Sequence, residues 1–144
     1  MCLFNIPDKV KQVLDLYGPD EWMYGYKIYE LYNRNNLLSP FIGKKININK
    51  QRVVSDSSVS GAIMRRIVVS RGIHIYKTEE CAKPMMNRMS GLTAKTPVLV
   101  KVYGQVKDLI GVGEKDAVFK SVIIDQQSLD GVRKFMKGVF EYDY

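Results

Sequence analysis

The sequence predicts a small α+β domain in which three helices precede a two-stranded β-ribbon, followed by a C-terminal helical extension. Three observations carry this prediction. Apolar residues recur at helical spacing in three segments before residue 72, two later segments alternate apolar and polar residues, and a continuous apolar face returns near the C terminus. The domain would span residues 1–104, and the extension, residues 105–144, would pack against it or dimerise. A chain of 144 residues, 46% of them hydrophobic, buries about two-thirds of its unfolded surface and folds without disulfide staples.

Each element has a local reason. Val10, Val13, Leu14 and Tyr17 line one face of a first helix between Asp8 and Tyr17, which Pro7 introduces and Gly18-Pro19 ends. A second helix, Tyr24 to Arg34, places Tyr24, Ile28, Leu31 and Tyr32 on one face. Tyr24, Tyr26, Tyr29 and Tyr32 can stack on bases, but an aromatic stripe at that spacing more often packs a core. Residues 35–54 hold Pro40, Gly43 and an Ile46/Ile48 alternation, the pattern of a loop with one short extended piece. Ser55-Asp56-Ser57-Ser58 supplies N-caps for a third helix from Val59 to Arg71, with Val59, Ile63 and Ile67 buried and Gly72 closing it.

Ile73 to Lys77 and Val98 to Tyr103 alternate as the two ribbon strands. The polar stretch between them, with Lys83, Pro84, Arg88, Gly91 and Lys95, would be a long basic tip. In the extension, a short helix is expected near Val106–Ile110, and Val118–Ile124 is β-branched and fits either a strand or a helix. A last helix capped by Ser128 carries Leu129, Val132, Phe135, Met136, Val139 and Phe140 on one face. That face, within residues 128–140, either covers the chain's own core or forms a homodimer.

Charge is unevenly distributed. The net charge is +7, yet residues 1–34 sum to −1 (4 basic, 5 acidic) and residues 102–144 to −1 (6 basic, 7 acidic). Residues 35–101 hold 12 basic groups against Asp56, Glu79 and Glu80, a net of +9. A concentrated positive field attracts polyanions, because neutralising phosphates releases condensed counterions, so nucleic acid is the leading partner.

Other chemistry has little to build on. Cys2 and Cys81 form no Cys-x-x-Cys pair, and a single histidine, His74, is too few for most zinc sites or a Ser/His/Asp arrangement. A ribonuclease using His74 with Tyr76 or Lys77 is disfavoured, because strand alternation puts His74 and Tyr76 on one face and Lys77 on the other. Gly111-Val-Gly113-Glu-Lys lacks the spacing of a phosphate loop. No enzyme activity, metal or cofactor is expected. MCLFNIP lacks the basic start and long apolar run of a secretory signal, and no apolar run spans a bilayer, so a cytoplasmic protein without membrane association is expected.

Ser57-Ser58-Val59-Ser60-Gly61-Ala62-Ile63-Met64-Arg65-Arg66 followed by Gly72-Ile73, after two helices and before a ribbon, resembles the winged helix-turn-helix family over residues 8–103. The resemblance implies a transcriptional regulator that binds double-stranded DNA. Its third helix would present Ser57, Ser58, Ser60, Gly61, Met64 and Arg65 to the major groove. Wing and loop cations Lys44, Lys45, Lys50, Arg52, Lys83, Arg88 and Lys95 would contact phosphates. About twenty residues separate the second and third helices where many bacterial members have a tight turn. The alternative is a non-enzymatic inhibitor or adaptor, of the kind a virus directs at a host polymerase or nuclease, gripping its protein target through the basic middle or the tyrosine-rich segment.

Overall fold

The computed structural model describes residues 3–4, 16–18, 20–33, 35–39, 45–48, 53–55, 68–69, 72–92 and 96–140. In chain order these form strands β1 (Leu3–Phe4), β2 (Trp22–Asn33), β3 (Asn36–Leu38), β4 (Lys45–Asn47), β5 (Val53–Ser55), β6 (Val68–Val69) and β7 (Ile73–Tyr76), then helix α1 (Glu79–Leu92). Strand β8 (Pro97–Gln105), a single 3-10 turn (Val106–Asp108), strands β9 (Leu109–Val112), β10 (Asp116–Phe119) and β11 (Ser121–Ile124), and helix α2 (Gln126–Phe140) follow. Strand pairing dominates the described residues, with only two long helices. This overturns the winged helix-turn-helix architecture.

Among the described residues, nine strands join in one antiparallel sheet and β1 pairs separately with β6. The spine is β2 against β8, in register from Trp22 opposite Gln105 to Glu30 opposite Pro97. On its other edge, β2 meets β7 at Tyr26–Tyr76 and β3 from Glu30 onward. The segment 116–124 pairs with β7 through β10 and with β8 through β11, so the sheet curls round an inner face.

The expected second helix is therefore β2. Its apolar residues satisfy a 3.6-residue period only because both faces of the strand are apolar. Tyr29 and Leu31 point into the core with Val100, Val102, Ile73, Ile75 and Phe119, while Ile28 packs on the opposite, outer face. Tyr, Ile and Trp suit a pleated surface. Two glycines let the strands close: a Cβ on Gly25 would lie 2.6 Å from both Ile75 Cδ1 and the Tyr76 carbonyl oxygen, and one on Gly104 would lie 2.5 Å from the Phe119 ring.

The expected basic tip of the ribbon is α1. Thr78 caps it, its Oγ1 accepting the Cys81 N–H at 3.2 Å, and Glu79 and Glu80 complement the dipole of the first turn. Pro84, which reads as a helix breaker, is carried inside it. What holds α1 is tertiary: Ala82, Met85, Met86 and Met89 recur on one side and pack on Ile28, Tyr76 and Leu99 of the outer sheet face.

Of the expected third helix, Val68 and Val69 are strand, paired with Phe4 and Leu3, and residues 59–67 and 70–71 lie outside the described residues. Gly72 is a real conformational signal, with φ +107, but it admits the chain to β7. The first helix, too, lies outside the described residues except at Leu16 and Tyr17. Strands β7 and β8 and the last helix occur where the sequence placed them, but β7 and β8 form no ribbon: β2 lies between them and pairs with each. The short helix expected near Val106–Ile110 is a 3-10 turn at Val106–Asp108, with Leu109 and Ile110 in β9. Asp125, not Ser128, caps α2: its Oδ2 accepts the Ser128 N–H at 3.2 Å. Leu129, Val132 and Met136 are buried in the chain's own core, and Phe135 stays 47% exposed.

Candidate nucleic-acid interface

The outer face of the sheet has a covered half and an open half. Residues two apart on a strand share a face, so the register stacks the outer residues of β2 and β8 in rows. Trp22 lies opposite Gln105, Tyr24 opposite Tyr103, Tyr26 opposite Lys101, and Ile28 opposite Leu99. Helix α1 lies over the last of these rows. In the rows it leaves free, Tyr24 is 57% and Trp22 51% exposed, whereas Tyr29, on the inner face, is fully buried.

The open rows form an aromatic cluster around one cation. The Tyr24 and Tyr26 rings meet edge to face with centroids 6.4 Å apart, and Tyr24 and Tyr103 are tilted at 6.5 Å. The Lys101 ammonium lies 4.3 Å from the Tyr24 ring centroid and 5.3 Å from that of Tyr103. A hydrogen bond with Tyr103 raises the Lys101 pKa above its ordinary value against the opposing effect of desolvation, and the charges of the Tyr103, Tyr26 and Tyr24 phenol groups add to the rise, so it is charged at neutral pH. The strand beneath it is pinned by the start of α2: the Lys101 N–H donates to Ser128 Oγ at 3.0 Å, and its carbonyl accepts the Asp125 N–H at 2.9 Å. Asp20, just before β2, faces Lys107 at 3.8 Å.

The residues expected to touch DNA are scattered or out of view. Ser57, Ser58, Ser60, Gly61, Met64 and Arg65, with Lys44, Lys50, Arg52 and Lys95, lie outside the described residues. Lys45, on β4, sits over the Tyr32 ring at 4.2 Å. Lys83 and Arg88 belong to α1 rather than to a ribbon tip, and Lys83 is paired with Glu80 at 2.7 Å. Trp22, Tyr26, Lys101 and Tyr103 were not singled out together by sequence. Their signal was present in the i, i+2 spacing of Trp22, Tyr24 and Tyr26 and of Lys101 and Tyr103.

Arg88 lines a groove of about 360 Å³ between α1 and the β9–β10 hairpin, with Tyr76, Met85, Glu114, Lys115 and Asp116 among its walls. Burial, then the Asp116 charge, pushes the Tyr76 phenol up to about 12, against the opposing pull of Arg88. Burial likewise raises the Asp116 carboxyl, with Lys77 opposing. Among the described residues no cluster of three or more His, Cys, Asp or Glu is placed to hold a metal ion, and no helix is long and apolar enough to cross a membrane. No family model, curated protein or solved structure matches this chain.

Proposed function

We propose that the chain is a nucleic-acid-binding protein whose interface is the open half of the outer sheet face. The observation that carries this reading is the Lys101 ammonium seated among the partly exposed rings of Tyr24 and Tyr103, with Trp22 beside them. Rings offer stacking surface and the ammonium offers a phosphate contact. The +9 excess of residues 35–101 supports the same partner through its long-range field. The reading needs no bond-making chemistry and no cofactor, and it fits a cytoplasmic binding protein. It does not retain insertion of the segment from Ser57 into a major groove, which depended on the winged architecture.

Fluorescence anisotropy of a short labelled oligonucleotide tests the reading. Affinity should fall steeply between about 50 and 200 mM salt. Lys101→Glu should weaken binding about tenfold and shrink the salt slope by about one, with the melting temperature unchanged. Binding indifferent to both salt and Lys101→Glu refutes the interface. A chain that binds no oligonucleotide but retains a polymerase or nuclease on a column supports the adaptor reading instead.

A further inference from the structure

We infer that the ligand of this face is a single strand, held by stacking of about three unpaired bases on the rows Trp22/Gln105, Tyr24/Tyr103 and Tyr26/Lys101; the inference rests on the nucleic-acid reading above. In a duplex, base faces are stacked on one another and only base edges are offered, at the floor of a groove about 8.5 Å deep. Reading them takes an element that protrudes, a helix or a ribbon. Rings carried on an open sheet face present the opposite geometry: exposed π surfaces, here turned at an angle to one another, that the faces of unpaired bases can reach. Trp22 and Tyr24 are about half exposed in this arrangement.

The platform is short because the fold ends it. At about 3.4 Å per residue, Trp22 to Tyr26 spans about 14 Å, and one row further on, the Ile28/Leu99 pair lies beneath Ala82, Met85, Met86 and Met89 of α1. The helix is thus a wall across the sheet, and a strand crossing the face is limited to the rows in front of it. Lys101 sits in the row next to that wall, where its ammonium can exchange the Tyr24 ring for a phosphate and leave the ring face to a base. The phosphate contact then supplies attraction and the rings supply the preference for unpaired bases.

The chain carries its own reporter, since Trp22 is its single tryptophan and lies in the first row. The unmodified protein is titrated with a thymine oligonucleotide of about ten nucleotides, the same strand annealed to its complement, and an abasic strand of equal length. The single strand should quench Trp22 and bind at least about tenfold more tightly than either control. Tyr24→Phe should bind within about twofold of the parent, and Tyr24→Ala should lose about 5- to 150-fold. Equal or tighter binding of the duplex or the abasic strand overturns the inference while leaving nucleic-acid binding intact. Absence of saturable binding to all three at low salt overturns the underlying reading and the inference with it. Should Tyr24→Ala fail to fold by circular dichroism, the quenching and abasic comparisons on the parent chain decide alone.

Discussion

Replacing Lys27 by Met should stabilise the protein at neutral pH and flatten its pH profile. Lys27 lies on the inner face of β2, 8% exposed, with its ammonium 5.3 Å from the Tyr29 ring centroid and donating to the His74 carbonyl at 3.4 Å. Burial lowers its pKa from 10.5 to about 8. Holding that charge inside the fold at pH 7 therefore costs about 3 kcal/mol, at about 1.4 kcal/mol per pKa unit. The unfolded chain binds this proton more tightly than the folded one. The Lys27 contribution is thus most unfavourable below about pH 8 and fades towards 10.5 as the unfolded lysine also deprotonates.

Met keeps the length of the stem and removes the charge, but forfeits the long hydrogen bond and the ring contact. A gain of about 2 kcal/mol at pH 7 should remain. Urea unfolding of parent and variant at pH 7, 8, 9 and 10 reads both effects. The parent should climb between pH 8 and 10 while the variant stays level. Above about pH 10 both should fall, because burial raises the Tyr29 and Tyr76 phenols and only the unfolded chain gives up those protons there. A variant less stable than the parent at pH 7, together with a level parent profile, refutes the account of Lys27 as a desolvated cation.

Two further outcomes test the scaffold under the interface. Gly25→Ala should destabilise by about 3 kcal/mol or more, because the added carbon meets the Tyr76 backbone oxygen as well as the mobile end of Ile75; a melting temperature within a few degrees of the parent would show that β2 and β7 do not approach as described. Asp125→Ala should cost about 1 kcal/mol by removing the cap of α2, and Asp125→Asn should recover most of it; equal chemical-denaturation midpoints for Asp125→Ala and the parent exclude that role.

Local signals were readable where one segment meets one kind of neighbour. Strands β7 and β8 announce themselves by alternation, and α2 by a wide apolar stripe whose Leu129, Val132 and Met136 do enter the core. Gly72 marks a positive φ, although the element it was expected to end is not described beyond Val68–Val69. The excess of cations between residues 35 and 101 is a property of the sequence alone.

Two decisions belonged to the tertiary structure. The segment from Trp22 to Asn33 carries apolar side chains on both faces, so periods of 2 and 3.6 fit it almost equally; pairing with β8, about seventy residues later, makes it a strand. That choice separates the buried Tyr29 from the exposed Tyr24 and Tyr32, and splits Tyr24 from Leu31, which the expected helical face groups together. The segment from Glu79 to Leu92, with Pro84 and scattered charges, reads as a loop until the outer face of the sheet offers Ile28, Tyr76 and Leu99 for its methionines to cover. Residue types and charge are written along the chain, but which face of a doubly apolar strand meets water depends on partners distant in sequence, and only their packing decides it.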